Sequence, residues 1–157
     1  MLTLRTSRFS LLTLLFLGIV TSFSSLHATV DDALSFAYEA ALPYYKQYAI
    51  RKDAWGGDLG PGDKQAITTQ LFKGNDYWFL MASDVPKASI SVHLYDSNGK
   101  LVESESWQKM NEKKHFSSAG AHIIPKSTGT YFAIVQIIRS PEERTHWALV
   151  YGYKDVK

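Results

Sequence analysis

Four of the five histidines lie beyond residue 28: His93, His115, His122 and His146. They set the chemistry that this chain could support. An imidazole can take a proton from a serine hydroxyl when a carboxylate holds its other nitrogen. Serine, histidine and aspartate are all present, yet no motif arranges them. The chain has no Gly-x-Ser-x-Gly elbow and no His-Glu-x-x-His helix. His93 lies on the polar side of an alternating segment with Asp96 in the next turn, and it reads as a surface histidine. No two histidines share metal-ligand spacing on one expected helix, so no metal site is expected. Cysteine is absent, which removes thiol catalysis, Cys–zinc sites and disulfides. The expectation is a protein with no catalytic centre and no cofactor. The alternative is a small secreted hydrolase or inhibitor whose site is assembled only in three dimensions.

Binding chemistry is better represented than catalysis. Phe, Trp and Tyr make up 13% of the chain, including Trp55, Trp78, Trp107 and Trp147. Trp78 and Trp147 sit in apolar runs and read as core. Trp55 beside Gly56-Gly57, and Trp107 after the polar run 101–106, are the less committed rings. An exposed tryptophan can stack on a sugar or anchor a protein. The candidate binding residues are therefore Trp55, Trp107, Gly57 and Asp58. Gly56-Gly57-Asp58-Leu59-Gly60 is glycine-rich, but no Lys-Ser or Lys-Thr follows it as a phosphate loop requires. It reads as a structural loop.

The elements that must carry these residues begin with a targeting segment. Arg5 and Arg8 precede a run of about a dozen apolar residues, too short for the roughly 20 that span a bilayer, and Leu26-His27-Ala28 closes it. Residues 1–28 read as a secretory signal peptide, or otherwise as a retained anchor. The protein is expected to be exported, to the periplasm or the extracellular space, with no stable membrane span after cleavage. The whole chain carries a net charge of +2. Without Arg5 and Arg8, 15 basic residues face 15 acidic ones. That balance argues against a nucleic-acid partner.

Residues 29–157 read as one domain. Residues 31–48 show helical spacing at Leu34, Tyr38, Ala41, Leu42 and Tyr45, with Thr29 or Asp31 as cap. Pro43 should end or kink that helix near Leu42. A second apolar set at Ala33, Phe36, Ala37 and Ala40 suggests packing across a sheet. Beyond residue 49 the period becomes two. Strands are expected at 66–72, 77–82, 89–95, 101–107, 122–124, 130–138 and 146–153. Ile90, Val92 and Leu94 should face inward, and Asp96-Ser97-Asn98-Gly99 forms a hairpin turn. The apolar run 130–138 is expected to be covered on both sides. Charged stretches 109–114 and 140–144 read as loops. The fold class is mainly β: an antiparallel, jelly-roll-like sandwich of seven or eight strands with one amino-terminal helix.

Three runs together carry a resemblance. Leu71-Phe72-Lys73-Gly74-Asn75-Asp76-Tyr77-Trp78-Phe79 comes first. Ile90-Ser91-Val92-His93-Leu94-Tyr95-Asp96-Ser97-Asn98-Gly99-Lys100-Leu101-Val102 follows, and Ser127-Thr128-Gly129-Thr130-Tyr131-Phe132-Ala133-Ile134-Val135 closes the set. This order looks like the bacterial pre-peptidase C-terminal domain and related jelly-roll accessory domains, over roughly residues 65–153. The resemblance implies a small β-sandwich of secreted proteins, usually non-catalytic and commonly beside an enzyme domain. Some relatives bind calcium through clustered acids near the domain start. Here Asp53, Asp58 and Asp63 lie five apart with no short Asp-x-Asp run, so that site is not carried over. The expected role is an exported binding or accessory module for a protein or polysaccharide, or a structural component of an envelope assembly. Intact mass of protein from its native host should place the mature amino terminus at Thr29, and recovery of the Met1 form in membranes would overturn this.

Overall fold

The computed structural model describes residues 29–156, so the expected signal segment lies outside the described residues. Helix α1 (Val30–Ala41) starts at Thr29, whose hydroxyl accepts from Asp32 N–H while the Asp32 carboxylate accepts from Thr29 N–H. This reciprocal cap fills donors that a helix start leaves open. Pro43 then does what its ring dictates. The α-helix stops at Ala41, and a single 3-10 turn covers Leu42–Tyr44. The expected helix to residue 48 is therefore too long.

Eight strands follow: β1 (Ala49–Leu59), β2 (Lys64–Leu71), β3 (Asn75–Ser83), β4 (Ser89–Asp96), β5 (Glu105–Asn111), β6 (Phe116–Ile123), β7 (Gly129–Arg139) and β8 (Thr145–Asp155). They form two packed sheets, β1-β8-β3-β6-β5 and β2-β7-β4, with every pairing antiparallel. The interleaving of β1-β8-β3-β6 with β2-β7-β4 is that of a jelly roll. β5 departs from it by joining the edge of the larger sheet. The hairpin turn forms as expected: Asp96 Oδ1 accepts from Asn98 and Lys100 N–H, and Gly99 takes φ +76°. Return pairing beyond it is limited to a bridge between Tyr95 and Leu101. Glu103 reaches back instead, accepting Leu94 N–H on Oε2 at 2.8 Å. A carboxylate takes the place of the next strand there, and the chain crosses to the other sheet.

β3 explains why the larger sheet sits in the middle. Tyr77, Phe79 and Met81 meet Ile90, Val92, Leu94, Val135 and Ile137 of the smaller sheet. Trp78, Leu80 and Ala82 point the other way, into a second core with α1. An uninterrupted apolar run suits a strand covered on both faces. α1 packs through Ala33, Ala37 and Ala41, one small residue per turn, which lets the helix approach the bulky sheet side chains. Of the set at Leu34, Tyr38, Ala41, Leu42 and Tyr45, Leu34 and Tyr38 are half-buried against this core, whereas Leu42 is 62% exposed and Tyr45 50%.

Three further readings change. β5 covers Glu105–Asn111 rather than 101–107, so residues 109–111 belong to a strand and not to a loop. Residues 56–59 belong to β1 rather than to a loop, and Gly56 lies where the Val30 side chain crosses the strand. β6 begins six residues earlier than expected because Ser117, Ser118, Ala119, Gly120 and Ala121 are buried without any apolar alternation. Their smallness makes room for neighbours. A Cβ on Gly120 would lie 2.5–2.7 Å from three ring atoms of Trp107. Gly120→Ala should therefore displace Trp107 and cost about 1–3 kcal/mol in denaturant unfolding. Unchanged stability and tryptophan fluorescence would contradict this packing.

Candidate functional site

The two sheets differ on their outer faces. α1 covers the larger one, whereas no described element covers the smaller one. On β7, Tyr131, Ala133, Val135 and Ile137 are buried inward, so Phe132, Ile134 and Gln136 point out. Cross-strand pairing sets them in rows: Thr68–Phe132–Tyr95, Ala66–Ile134–His93 and Lys64–Gln136–Ser91. Phe132, Ile134 and Tyr95 are half-buried, and Ile138 further along is 37% exposed. The expectation that 130–138 is covered on both sides is thus corrected. β7 is central in its sheet, but the sheet has only one packed face.

A second constellation lies on the other sheet. Asp76 opens β3 and is 7% exposed. Its carboxylate accepts the Tyr48 hydroxyl at 3.1 Å on each oxygen. His122 Nε2 lies 2.6 Å from Asp76 Oδ1, and Lys154 Nζ 3.5 Å from Oδ2. The other imidazole nitrogen, Nδ1, lies 2.6 Å from the hydroxyl of Ser104, an exposed residue just before β5. Trp78 stacks on the His122 ring at 5.0 Å, and Tyr44 packs on Trp78. Serine, histidine and aspartate thus stand in line, from three elements separated in sequence.

Two more histidines pair with acids. His93 Nδ1 meets Glu103 Oε1 at 2.8 Å, not Asp96. His146 Nδ1 meets Asp84 Oδ2 at 2.8 Å, while Asp84 Oδ1 is buried without a partner. Burial pushes the Asp84 carboxyl above the usual carboxylate range, and His146 only partly opposes that. Among the described residues no three His, Asp or Glu side chains gather in a metal-holding group.

The residues first singled out for binding are separated. Trp55 faces the sandwich core beside Tyr151, with ring centroids 5.7 Å apart. Gly57 lies under the Trp147 ring. Asp58 accepts from Arg144 at 2.7 Å, an exposed pair that holds its carboxyl below the usual range. These three share β1, one edge of the larger sheet. Trp107 is on β5 at the opposite edge, its indole N–H donated to Tyr44 and Lys109 over its ring. Trp55 and Trp107 are both half-buried, and they do not form one surface.

No protein-family model matches the chain, and none of the curated proteins matches it. A solved structure, the Bacillus licheniformis lipase BlEst2 in propeptide form, is similar with a TM-score of 0.48 and 13% identity. The match covers 77% of this chain and 27% of that one. Sequence reasoning passed over Asp76 because Lys73-Gly74-Asn75-Asp76 reads as a turn, and over Ser104 because nothing local marks it. The one available hint was an acid at the mouth of the most apolar strand.

Asp84 has a definite pH consequence. Its folded value is raised, so folding takes up a proton between the unfolded and folded values. The penalty is absent below the unfolded value and complete above the folded one. Asp84→Asn keeps an acceptor for His146 and removes the penalty. Its stability relative to wild type should improve from about pH 3 to about pH 7 in urea unfolding. A difference that does not vary with pH would contradict the assignment.

Proposed function

We propose that the chain is an exported accessory module that works by binding, and that it binds a neutral polysaccharide on the outer face of the β2-β7-β4 sheet. The observation that carries this reading is the uncovered row of Tyr95, Phe132 and Ile134. The same protein covers the corresponding face of its other sheet with a helix. Aromatic and aliphatic side chains left on a solvent face mark interaction sites. Their surroundings favour sugar. Thr68, His93 and Gln136 supply hydroxyl, imidazole and amide groups beside the rings, Ser91 being buried, and Lys64 is the single charged residue in the three rows. Sugar rings stack their C–H faces on aromatic rings and spend their hydroxyls on such neighbours.

The pre-peptidase C-terminal resemblance supports an accessory role. Its three motif runs fall on β3, on β4 with its turn, and on β7. Balanced charge after removal of the signal segment fits a neutral ligand better than an anionic surface.

Retention on insoluble β-glucan, xylan or chitin tests the reading. The wild-type protein should be retained on at least one of them. The Tyr95→Ala/Phe132→Ala double variant should lose about tenfold in affinity, the loss of about 1.4 kcal/mol of stacking. Its melting temperature should change by no more than about 4–8 °C, because neither ring is in the packed core. Equal retention of both proteins, or retention of neither, would overturn the glycan surface. A protein captured through Tyr95 and Phe132 instead would keep the surface and replace the ligand.

A further inference from the structure

We infer that Ser104 is a nucleophile that accepts an acyl group from an activated ester, with His122 as its base and Asp76 as the residue that positions the base. This lies beyond the binding role and departs from the expectation, drawn from sequence, of no catalytic centre.

The tautomer follows from Asp76. A carboxylate accepts hydrogen bonds and donates none. Its two oxygens face the Tyr48 hydroxyl, the Lys154 ammonium and His122 Nε2. Nε2 must therefore carry the proton in that 2.6 Å contact. In the neutral ring this leaves the lone pair on Nδ1, and Nδ1 is the nitrogen 2.6 Å from Ser104 Oγ. The Ser104 hydroxyl has one proton to give and a second acceptor in the His122 carbonyl oxygen, at 3.1 Å. The shorter contact to Nδ1 takes it. Trp78 fixes the ring plane from one side. Asp76 and His122 are largely buried, whereas Ser104 is exposed, which is the order of access that an acylation centre needs.

The step is ordinary acyl transfer. Ser104 Oγ attacks the ester carbonyl carbon as its proton passes to His122 Nδ1. The tetrahedral adduct collapses, the C–O bond to the leaving alcohol breaks, and that oxygen takes the proton from Nδ1. A water molecule then attacks the acyl-serine, gives its proton to Nδ1, and the carboxylic acid leaves as Ser104 Oγ regains the proton. The substrate class follows from what stabilises the adduct. Ser104 N–H is already donated to the His122 carbonyl at 2.8 Å and is not free to hold an oxyanion. Loss of one such donor costs about 10²–10³ in rate. The centre therefore suits aryl and other activated esters, not amides, and the acyl-serine accumulates because its own hydrolysis lacks the same help.

The test uses the exported protein and p-nitrophenyl acetate, read by p-nitrophenolate release and by peptide mass mapping. We expect one acetyl group per chain on Ser104, and none at that site in Ser104→Ala. Asp76→Asn offers Nε2 a carbonyl or an amide donor. When its amide is donated to Nε2, the proton moves to Nδ1 and the base is lost. Asp76→Asn and His122→Gln should each slow labelling by at least about tenfold, within the 10²–10⁴ contribution of a general base. The wild-type rate should fall in acid, where a protonated imidazole cannot accept. Near-ultraviolet circular dichroism confirms that each variant is folded. Should His122→Gln not fold, Asp76→Asn and the pH profile decide. Labelling confined to lysines, labelling of Ser104 that is unchanged in a folded His122→Gln or Asp76→Asn protein, or no labelling would overturn the inference. None of these outcomes bears on polysaccharide retention, so the two readings fail separately.

Discussion

The two-sided burial of the β1-β8-β3-β6-β5 sheet is the constraint on which the rest depends. β3 and β8 are apolar on both faces, and neither face can be left in water. One face is closed by the smaller sheet through Phe79, Met81, Trp147 and Leu149. The other is closed by α1 over Trp78, Leu80, Ala148 and Val150. The helix meets that surface with alanines because the sheet already carries the bulk. Close packing needs the volumes on facing elements to be complementary. Phe36 on Phe116, with ring centroids 4.9 Å apart, and Trp107 on Tyr44 then seal the rim.

This arrangement leaves an asymmetry. A single twelve-residue helix covers one outer face of a two-sheet structure. The other outer face keeps its alternation of Phe132, Ile134 and Gln136 with a buried inner set. The sandwich thus has one outer face covered by a helix and one that no described element covers.

Polar groups are placed where strands end and cross. Asp76 is a buried acceptor at the start of β3, and an isolated buried carboxylate would be costly. Donors from three separate elements converge on it: Tyr48 after the helix, His122 on β6 and Lys154 on β8. The same logic recurs with Glu103, which holds His93 and the Leu94 amide where a strand partner is missing. His146 and Asp84 repeat it at the far end of β3, less completely, since one Asp84 oxygen has no partner. Convergence of this kind fixes side-chain orientation, and that orientation gives Ser104 its histidine.

Periodicity was enough to identify most strands. Ile90, Val92 and Leu94 alternate with polar neighbours and face inward. Trp147, Leu149, Tyr151 and Tyr153 share the inward face of β8, and Asn98-Gly99 makes the turn it encodes. Pro43 set the helix end. These are local properties, because backbone preference and side-chain alternation act within a few residues. What the sequence did not determine depends on contacts between distant segments. β6 was hidden because Ser117 to Ala121 carry no apolar period, and they are buried only because Trp107 and the adjoining strands surround them. The cover on β7 could not be read, since a two-sided apolar run looks the same whether or not something packs on its second face. Trp55 and Trp107 lie on opposite sheet edges by strand order alone. Ser104, His122 and Asp76 have no sequence signature together, because the crossing of β5 into the larger sheet, a tertiary event, is what aligns them.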